Sequence, residues 1–279
     1  MNWSKPFKAL FPEHKYAIQS ALLGDHATLA WSNLGYWQAE DQDYPSACQA
    51  LADTLARALN LRSEDHLLDL GCGQGASLQH WHNAYQVQSL TAVELQRACV
   101  ERISQFSTHQ NLRIEQLSFL NLNSLQFTDP FDVVVCIDAA YHSSLITFLE
   151  NIELVLAEQG RLGFHYLMLS EKWNDLSVLQ RKKYGWLLKA ADVNLNHLMT
   201  QQDTVQCLER FGFTQIGIQD FSEEVLHGFS QYVELHLAFQ LLQKHDASMF
   251  DELKIKMTAK LCRKLFEDGL VRYVQIVAS

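Results

Sequence analysis

Asp69-Leu-Gly-Cys-Gly-Gln-Gly75 sets one carboxylate two residues ahead of three glycines at alternate positions, Gly71, Gly73 and Gly75. Bare backbone at that spacing lets a chain turn sharply and lets a ligand approach the peptide groups. The apolar run before it (Leu67, Leu68, Leu70) reads as a buried strand, and Ala76-Ser-Leu-Gln-His-Trp81 after it can continue as a helix. A helix start offers unpaired N–H groups and partial positive charge, so this strand–turn–helix predicts a nucleotide-type cofactor site. Two cofactor types satisfy it. Gly71-x-Gly73-x-x-Ala76 fits the loose fingerprint for the pyrophosphate of a nicotinamide or flavin dinucleotide. The carboxylate of Asp69, however, repels a pyrophosphate and attracts a cofactor that carries an amine and a sulfonium.

Other reactive side chains follow at strand ends. Glu94, near the end of Ser89-Leu-Thr-Ala-Val-Glu-Leu95, is suited to grip two ribose hydroxyls, the alternative being an exposed strand-end acid. Asp138-Ala-Ala-Tyr-His142 closes the run Phe131–Ile137, where ligands of open α/β sheets bind. His142 is placed to take a proton from an acceptor hydroxyl, amine or acidic carbon, or to hold the acceptor without proton transfer. Tyr141 shapes the pocket beside it. His165 reads first as a satisfied core histidine and is held only in reserve as a second base. Upstream, Trp31-Ser-Asn-Leu-Gly-Tyr-Trp37 puts a glycine turn beside large rings, which either pack on the core or cover a sulfonium by cation–π attraction.

Asp-Leu-Gly-Cys-Gly-Gln-Gly resembles the first motif of class I S-adenosylmethionine-dependent methyltransferases. The Gly-Tyr-Trp segment before it is similar to that of the small-molecule, sterol- and tocopherol-type branch. The resemblance implies S-adenosylmethionine as cofactor and methyl transfer to a small-molecule acceptor, the alternatives being a nicotinamide-dependent oxidoreductase or a non-catalytic S-adenosylmethionine-binding partner protein. By it, Tyr36 and Trp37 cover the methionine end. Asp69, Gly71, Cys72, Gly73, Gln74 and Gly75 cradle the donor, Glu94 and Leu95 take the ribose, and Asp138 helps with the methionine portion. The family usually places an acid after the third strand, against the adenine amine. Here Ser118 and Phe119 stand there, so adenine binding rests on backbone groups and stacking.

The elements that must position these residues follow from periodicity. Pro45 and the spacing of Ala47, Leu51, Leu55 and Leu59 predict a helix before the first strand. Strands are expected near 66–70, 89–95, 112–117, 131–137, 161–167, 213–220 and 270–277. Helices are expected near 96–106, 144–157, 176–190 and 204–212. Two more lie between the last strands, from the four-residue steps Val225, Phe229, Val233, Leu237, Leu241 and Leu253, Met257, Leu261, Leu265. The predicted fold is a single Rossmann-like α/β domain with a seven-stranded, mostly parallel sheet, helices on both faces and a helical cap. Its core covers about 45–170, 201–221 and 267–279, with the last strand returning to the sheet edge. The aromatic-rich N-terminus (Trp3, Phe7, Phe11 and Tyr16 among its rings), 171–200 and 222–266 form the cap.

Composition narrows the partners. A net charge of −10 over 279 residues argues against nucleic acid, despite Lys and aromatic residues interleaved at 171–200 (Trp173, Tyr184, Trp186). The six cysteines are scattered without a C-x-x-C pair and read as reduced thiols of a soluble cytoplasmic protein. No His/Cys spacing suggests a metal; His80 and His82 do not share a helix face. No apolar segment reaches membrane-spanning length, and nothing in the sequence sets the oligomeric state.

Overall fold

The computed structural model describes residues 19–39, 41–107, 109–122, 127, 129–240 and 249–279. Trp3, Phe7, Phe11, Tyr16, Leu241 and the Leu237 side chain lie outside what is described.

Seven strands form one sheet: β1 (His66–Leu70), β2 (Ser89–Glu94), β3 (Leu112–Gln116), β4 (Phe131–Cys136), β5 (Leu156–Leu169), β6 (Ile216–Asp220) and β7 (Val271–Ala278). Their order is β3-β2-β1-β4-β5-β7-β6. β7 runs antiparallel to both neighbours, and the other pairs are parallel. The expected return of β7 to the sheet edge is corrected: it lies inside, and β6 is the edge. Side-chain burial shows why. Val271, Tyr273, Val274, Gln275, Ile276 and Ala278 are all buried, as a strand covered on both faces must be, whereas no residue of β6 is.

Alternation splits the buried runs between two cores. Leu67, Val133 and Val135 face one side with Leu78, Trp81 and Ile103, while Leu68, Val134 and Cys136 face the other with Phe148, Phe164 and Tyr166. Helix α1 (Tyr44–Ala58) starts on the Asp43 carboxylate, which accepts from the Ser46 N–H at 2.8 Å, with Pro45 in the first turn. α2 (Ala76–Tyr85) and α3 (Arg97–Phe106) follow the first two strands. α4 (Leu145–Ile152) stops short of the expected 157. The Phe131 N–H bonds the Val155 carbonyl at 2.8 Å, and Leu156 already pairs with Phe131, so β5 claims these residues.

α5 (Val178–Ala190) and α6 (Gln201–Arg210) link β5 to β6. A π-helical turn (Ser222–His227) runs into α7 (Gly228–Gln240), and α8 (Met249–Asp268) leads into β7. Val225, Phe229 and Val233 are buried as their spacing predicts. The expected buried stripe of α8 is corrected. Ile255, Ala259, Cys262 and Leu265 are buried, while Leu253 and Met257 are more than half exposed. Trp173 and Tyr184 are buried and Trp186 is 83% exposed.

Candidate active site

The carboxyl ends of β1, β2 and β4 open into one cavity of about 1360 Å³. That exceeds the ~300–1,000 Å³ usual for one bound small molecule, leaving room for two ligands. One end is made by Gly71, Cys72, Gly73, Gln74, Glu94 and Leu95, with Ser118 and Phe119 alongside. The other is walled by α5 near Leu187 and Leu188 and by α8 from Phe250 to Leu265. Asp69, Asp138, Tyr141 and His142 lie on it too.

The glycine loop takes the geometry its sequence demands. Gly71, Gly73 and Gly75 all have positive φ, at 71°, 56° and 92°. A Cβ on Gly73 would lie 2.5 Å from the Ser32 hydroxyl, so bare backbone is required where residues 30–34 cross the loop. Gly75 serves packing: its Cβ would meet Ile103 at 2.7 Å, and it does not line the cavity. The first turn of α2 has no side-chain cap, and Ala76 and Ser77 border the cavity, so its N–H groups face the ligand space.

Glu94 ties this end together. One carboxylate oxygen accepts from the Gly73 N–H at 2.9 Å and the other from the Gln96 N–H at 2.8 Å. A carboxylate placed at this end of the cavity suits the paired hydroxyls of a ribose. Asp69 is 1% exposed, and its carboxylate accepts from the Trp81 indole at 2.7 Å. Burial pushes its pKa up to about 6, against the hydrogen bond from the Trp81 indole and with the Glu94 charge adding to the rise. Such an acid gains by meeting a cation. Ser118 accepts from the Leu120 N–H at 3.2 Å, and Leu95 is 63% exposed beside it.

Asp138 occupies a left-handed backbone conformation, φ 56°, uncommon for a non-glycine residue. Its carboxylate accepts from the Leu34 N–H at 2.9 Å, the Tyr141 hydroxyl at 2.8 Å and the Tyr273 hydroxyl at 3.1 Å. It thereby locks the 30–34 roof to β4 and β7. Desolvation raises its pKa to about 6 despite these donors. Tyr141 and Tyr273 are themselves pushed well up, first by burial and then by the Asp138 charge. Both phenols are donors to Asp138, which makes Tyr141 a positioning residue and not a base. His142 ends the short turn Ala140–His142, and its Nδ1 lies 3.3 Å from the Asp192 carbonyl. A carbonyl only accepts, so Nδ1 donates there.

Three of the expected donor-site residues, Tyr36, Trp37 and Gly75, meet a different placement. Tyr36 and Trp37 do not line the cavity. Tyr36 packs on Phe221 at 4.8 Å, and Trp37 stacks on Tyr232 at 4.3 Å with its indole N–H on the Leu34 carbonyl. The Trp37 N–H bonds the Glu224 carbonyl at 3.1 Å, and Gly228 leaves room for its ring, since a Cβ there would sit 2.5 Å from the Trp37 Cβ. Trp31, Ser32, Asn33 and Leu34 form the roof instead. His165 is wholly buried against Tyr273 at 5.5 Å, away from the cavity, and burial lowers its pKa to about 3. It is a core residue. The sequence reading missed the roof, Tyr273 and the α8 wall; alternation along the last strand and the four-residue step of α8 carried a signal for the latter two.

These residues fit S-adenosylmethionine: an acid of raised pKa for its cationic end, Glu94 for ribose, and a loop whose backbone admits no Cβ. All six cysteines are free, and no group of three metal-binding side chains occurs among the described residues. No helix among them is long and apolar enough to cross a membrane.

Comparison with known proteins agrees. A family model described as "Mycolic acid cyclopropane synthetase" matches residues 22–276. Erythromycin 3''-O-methyltransferase of Saccharopolyspora erythraea is 30% identical over 239 residues, 82% of this chain and 77% of that one. (+)-O-methylkolavelool synthase of Herpetosiphon aurantiacus is 25% identical over 92% of this chain and 90% of its own. Among solved structures, the cyclopropane synthase MmaA2 from Mycobacterium tuberculosis superposes with a TM-score of 0.69 at 19% identity, covering 97% and 99% of the two chains. Geranyl diphosphate C-methyltransferase from Streptomyces coelicolor A3(2), solved with S-adenosyl-L-homocysteine, gives 0.67 at 15% identity, covering 96% and 98%. At these identities the structures speak for the fold.

Proposed function

Because the chain belongs to the mycolic acid cyclopropane synthetase family and is a class I S-adenosylmethionine-dependent methyltransferase, we propose that it methylates a hydroxyl of a lipophilic small molecule. The observation that carries this reading is His142, an imidazole held at Nδ1 by the Asp192 carbonyl on a cavity that Leu187, Leu188, Leu253, Met257 and Leu261 also line. Two relatives named as O-methyl-forming enzymes support oxygen as the acceptor atom. The narrower likeness to sterol- and tocopherol-type enzymes is part of the same proposal, resting on the size and apolarity of the acceptor end.

The donor supplies a methyl already activated on a sulfonium. The chain's own work is alignment and water exclusion. In this reading Glu94 holds the ribose, while Asp69 faces the amine. Ser118 and Phe119 bound the adenine, and the Asp138 clamp fixes the roof over both ligands. His142 accepts the acceptor's hydroxyl proton at Nε2 while the Asp192 carbonyl fixes its ring. The described parts of residues 1–44, 171–200 and 222–266 serve as a cap on a sheet core, and the protein works on small molecules in the cytoplasm without nucleic acid.

The test is turnover of S-adenosylmethionine to S-adenosylhomocysteine with a panel of lipophilic alcohols and phenols, in wild type and His142→Gln. The variant should bind donor product normally and lose about 10²–10⁴-fold in kcat, the usual share of a general base. Normal turnover would remove the base role, and methylation confined to nitrogen or carbon acceptors would remove the oxygen assignment.

A further inference from the structure

The acidic chain carries an unusual surface on the two helices that wall the acceptor end. Half of the large hydrophobic side chains exposed among the described residues lie on α5 and α8: Val178, Leu179, Trp186, Phe250, Leu253 and Met257. On α5 they are interleaved with charge of one sign. The helix has four basic residues, Arg181, Lys182, Lys183 and Lys189, and no acidic one. At about 100° per residue, Leu179, Lys182, Lys183, Trp186 and Lys189 fall on its outer side, opposite the buried Tyr184 and Leu188. Lys182, Lys183 and Lys189 enter no ion pair among the described residues. Arg181 is spent on the carbonyls of Leu176 and Asn174.

A monomer in water gains nothing by exposing a tryptophan at 83% between lysines. Aromatic and aliphatic side chains among lysines on one helix face fit the boundary of an anionic bilayer. There the apolar groups enter the acyl boundary and the lysines meet lipid phosphates. The position matters as much as the composition. Phe250, Leu253 and Met257 are exposed and also line the cavity, so the apolar surface runs from outside into the acceptor end. Lys254, Lys260 and Lys264 of the same wall add basic charge there, although Lys264 pairs with Asp268 and Lys254 also has a partner. Acids are not absent nearby: Asp175 and Asp192 flank α5, and Asp251, Glu252, Glu267 and Asp268 lie on α8 itself.

We propose that the outer face of α5, with the exposed stripe of α8, docks reversibly on an anionic lipid surface, so that a lipophilic acceptor passes from the bilayer into the cavity. The charge of α5, inverted relative to the chain's net −10, selects a lipid surface of negative charge over a neutral one.

Flotation of the full chain tests this, with phosphatidylcholine vesicles against vesicles containing an equal part of phosphatidylglycerol. The chain should float with the anionic vesicles at low salt, be released as salt rises, and stay behind with the neutral ones. The double variant Trp186→Ser, Leu179→Ser should lower binding about tenfold or more, and Lys182→Glu, Lys183→Glu should do the same, while Trp186→Phe retains it. Thermal melting and S-adenosylhomocysteine affinity, both expected to be unchanged, show that each variant is folded. Equal binding to both vesicle types, no binding, or undiminished binding by the variants overturns the proposal. So does a wild-type dimer that falls to monomer in the Trp186→Ser, Leu179→Ser variant, since a second copy would then be the occupant. Failure to bind S-adenosylhomocysteine would sink the methyltransferase mechanism and leave the flotation result to stand alone.

Discussion

Donor affinity should depend on pH through Asp69. The acid is buried at the cavity with its pKa raised to about 6, and the donor brings a cation to it. Binding therefore requires the carboxylate form, which the free protein holds only partly below that pH. If the bound state keeps Asp69 charged throughout, the apparent affinity falls by 1 + 10^(pKa − pH). The loss is nil at about pH 8, about twofold at pH 6 and about elevenfold at pH 5. The carboxylate of S-adenosylhomocysteine titrates below that window and its amine only at or above the upper end. Calorimetric titration with this product across the range gives the curve. Asp138 has a raised pKa of similar size, so the wild-type curve alone does not assign it. Asp69→Asn keeps an acceptor for the Trp81 indole and removes the charge. It should weaken binding at pH 8 by about 1.5–3 kcal/mol, the worth of a charged hydrogen bond, and flatten the profile. A flat wild-type profile, or an unchanged slope in the variant, refutes the contact between Asp69 and the donor's cationic end.

Gly75→Ala should cost about 1–3 kcal/mol in chemical denaturation, because φ is 92° and the new Cβ meets Ile103, with any loss of donor affinity secondary to that. Trp37→Ala should cost about 2 kcal/mol, somewhat below a core value because the ring is partly exposed, and should leave intrinsic donor affinity nearly intact; a large affinity loss at full folding would return Trp37 to the donor site. His165 holds a folded pKa of about 3, below the unfolded value near 6.5, so the unfolded chain binds the extra proton and stability is lost as pH falls through that window. At about pH 4.5 this amounts to roughly 3 kcal/mol, and His165→Leu should remove it, moving the acid-unfolding midpoint lower.

The sheet and its cofactor loop were legible because they rest on local rules. Leu67, Leu68 and Leu70 and the run Val133–Ile137 are apolar almost throughout, as strands buried on both faces must be, and Gly71 and Gly73 are glycines because the backbone turns left-handed there, Gly71 against Ala139 and Gly73 against Ser32. What escaped depends on contacts distant in sequence. Tyr36 and Trp37 look like cofactor-covering rings until Glu224, Gly228 and Tyr232 draw them outward. The same stretch still roofs the cavity, through Trp31–Leu34, because Asp138 reaches back across 104 residues to the Leu34 N–H. Helical spacing marked Leu253 and Met257 as apolar without saying that they meet a cavity and not a core. The last strand reads as a strand in any register. Only its burial on both faces puts β7 between β5 and β6, where Tyr273 reaches Asp138.

The central claim is a donor seated at the glycine loop with the acceptor chamber beyond it toward α8. A crystal structure with S-adenosylhomocysteine tests it most directly. The account predicts the ribose on Glu94, the adenine beside Ser118 and Phe119, and the sulfur directed past His142 into the space walled by Leu187 and Leu261. A product bound with its ribose away from Glu94, or with its sulfur turned from His142, would contradict it.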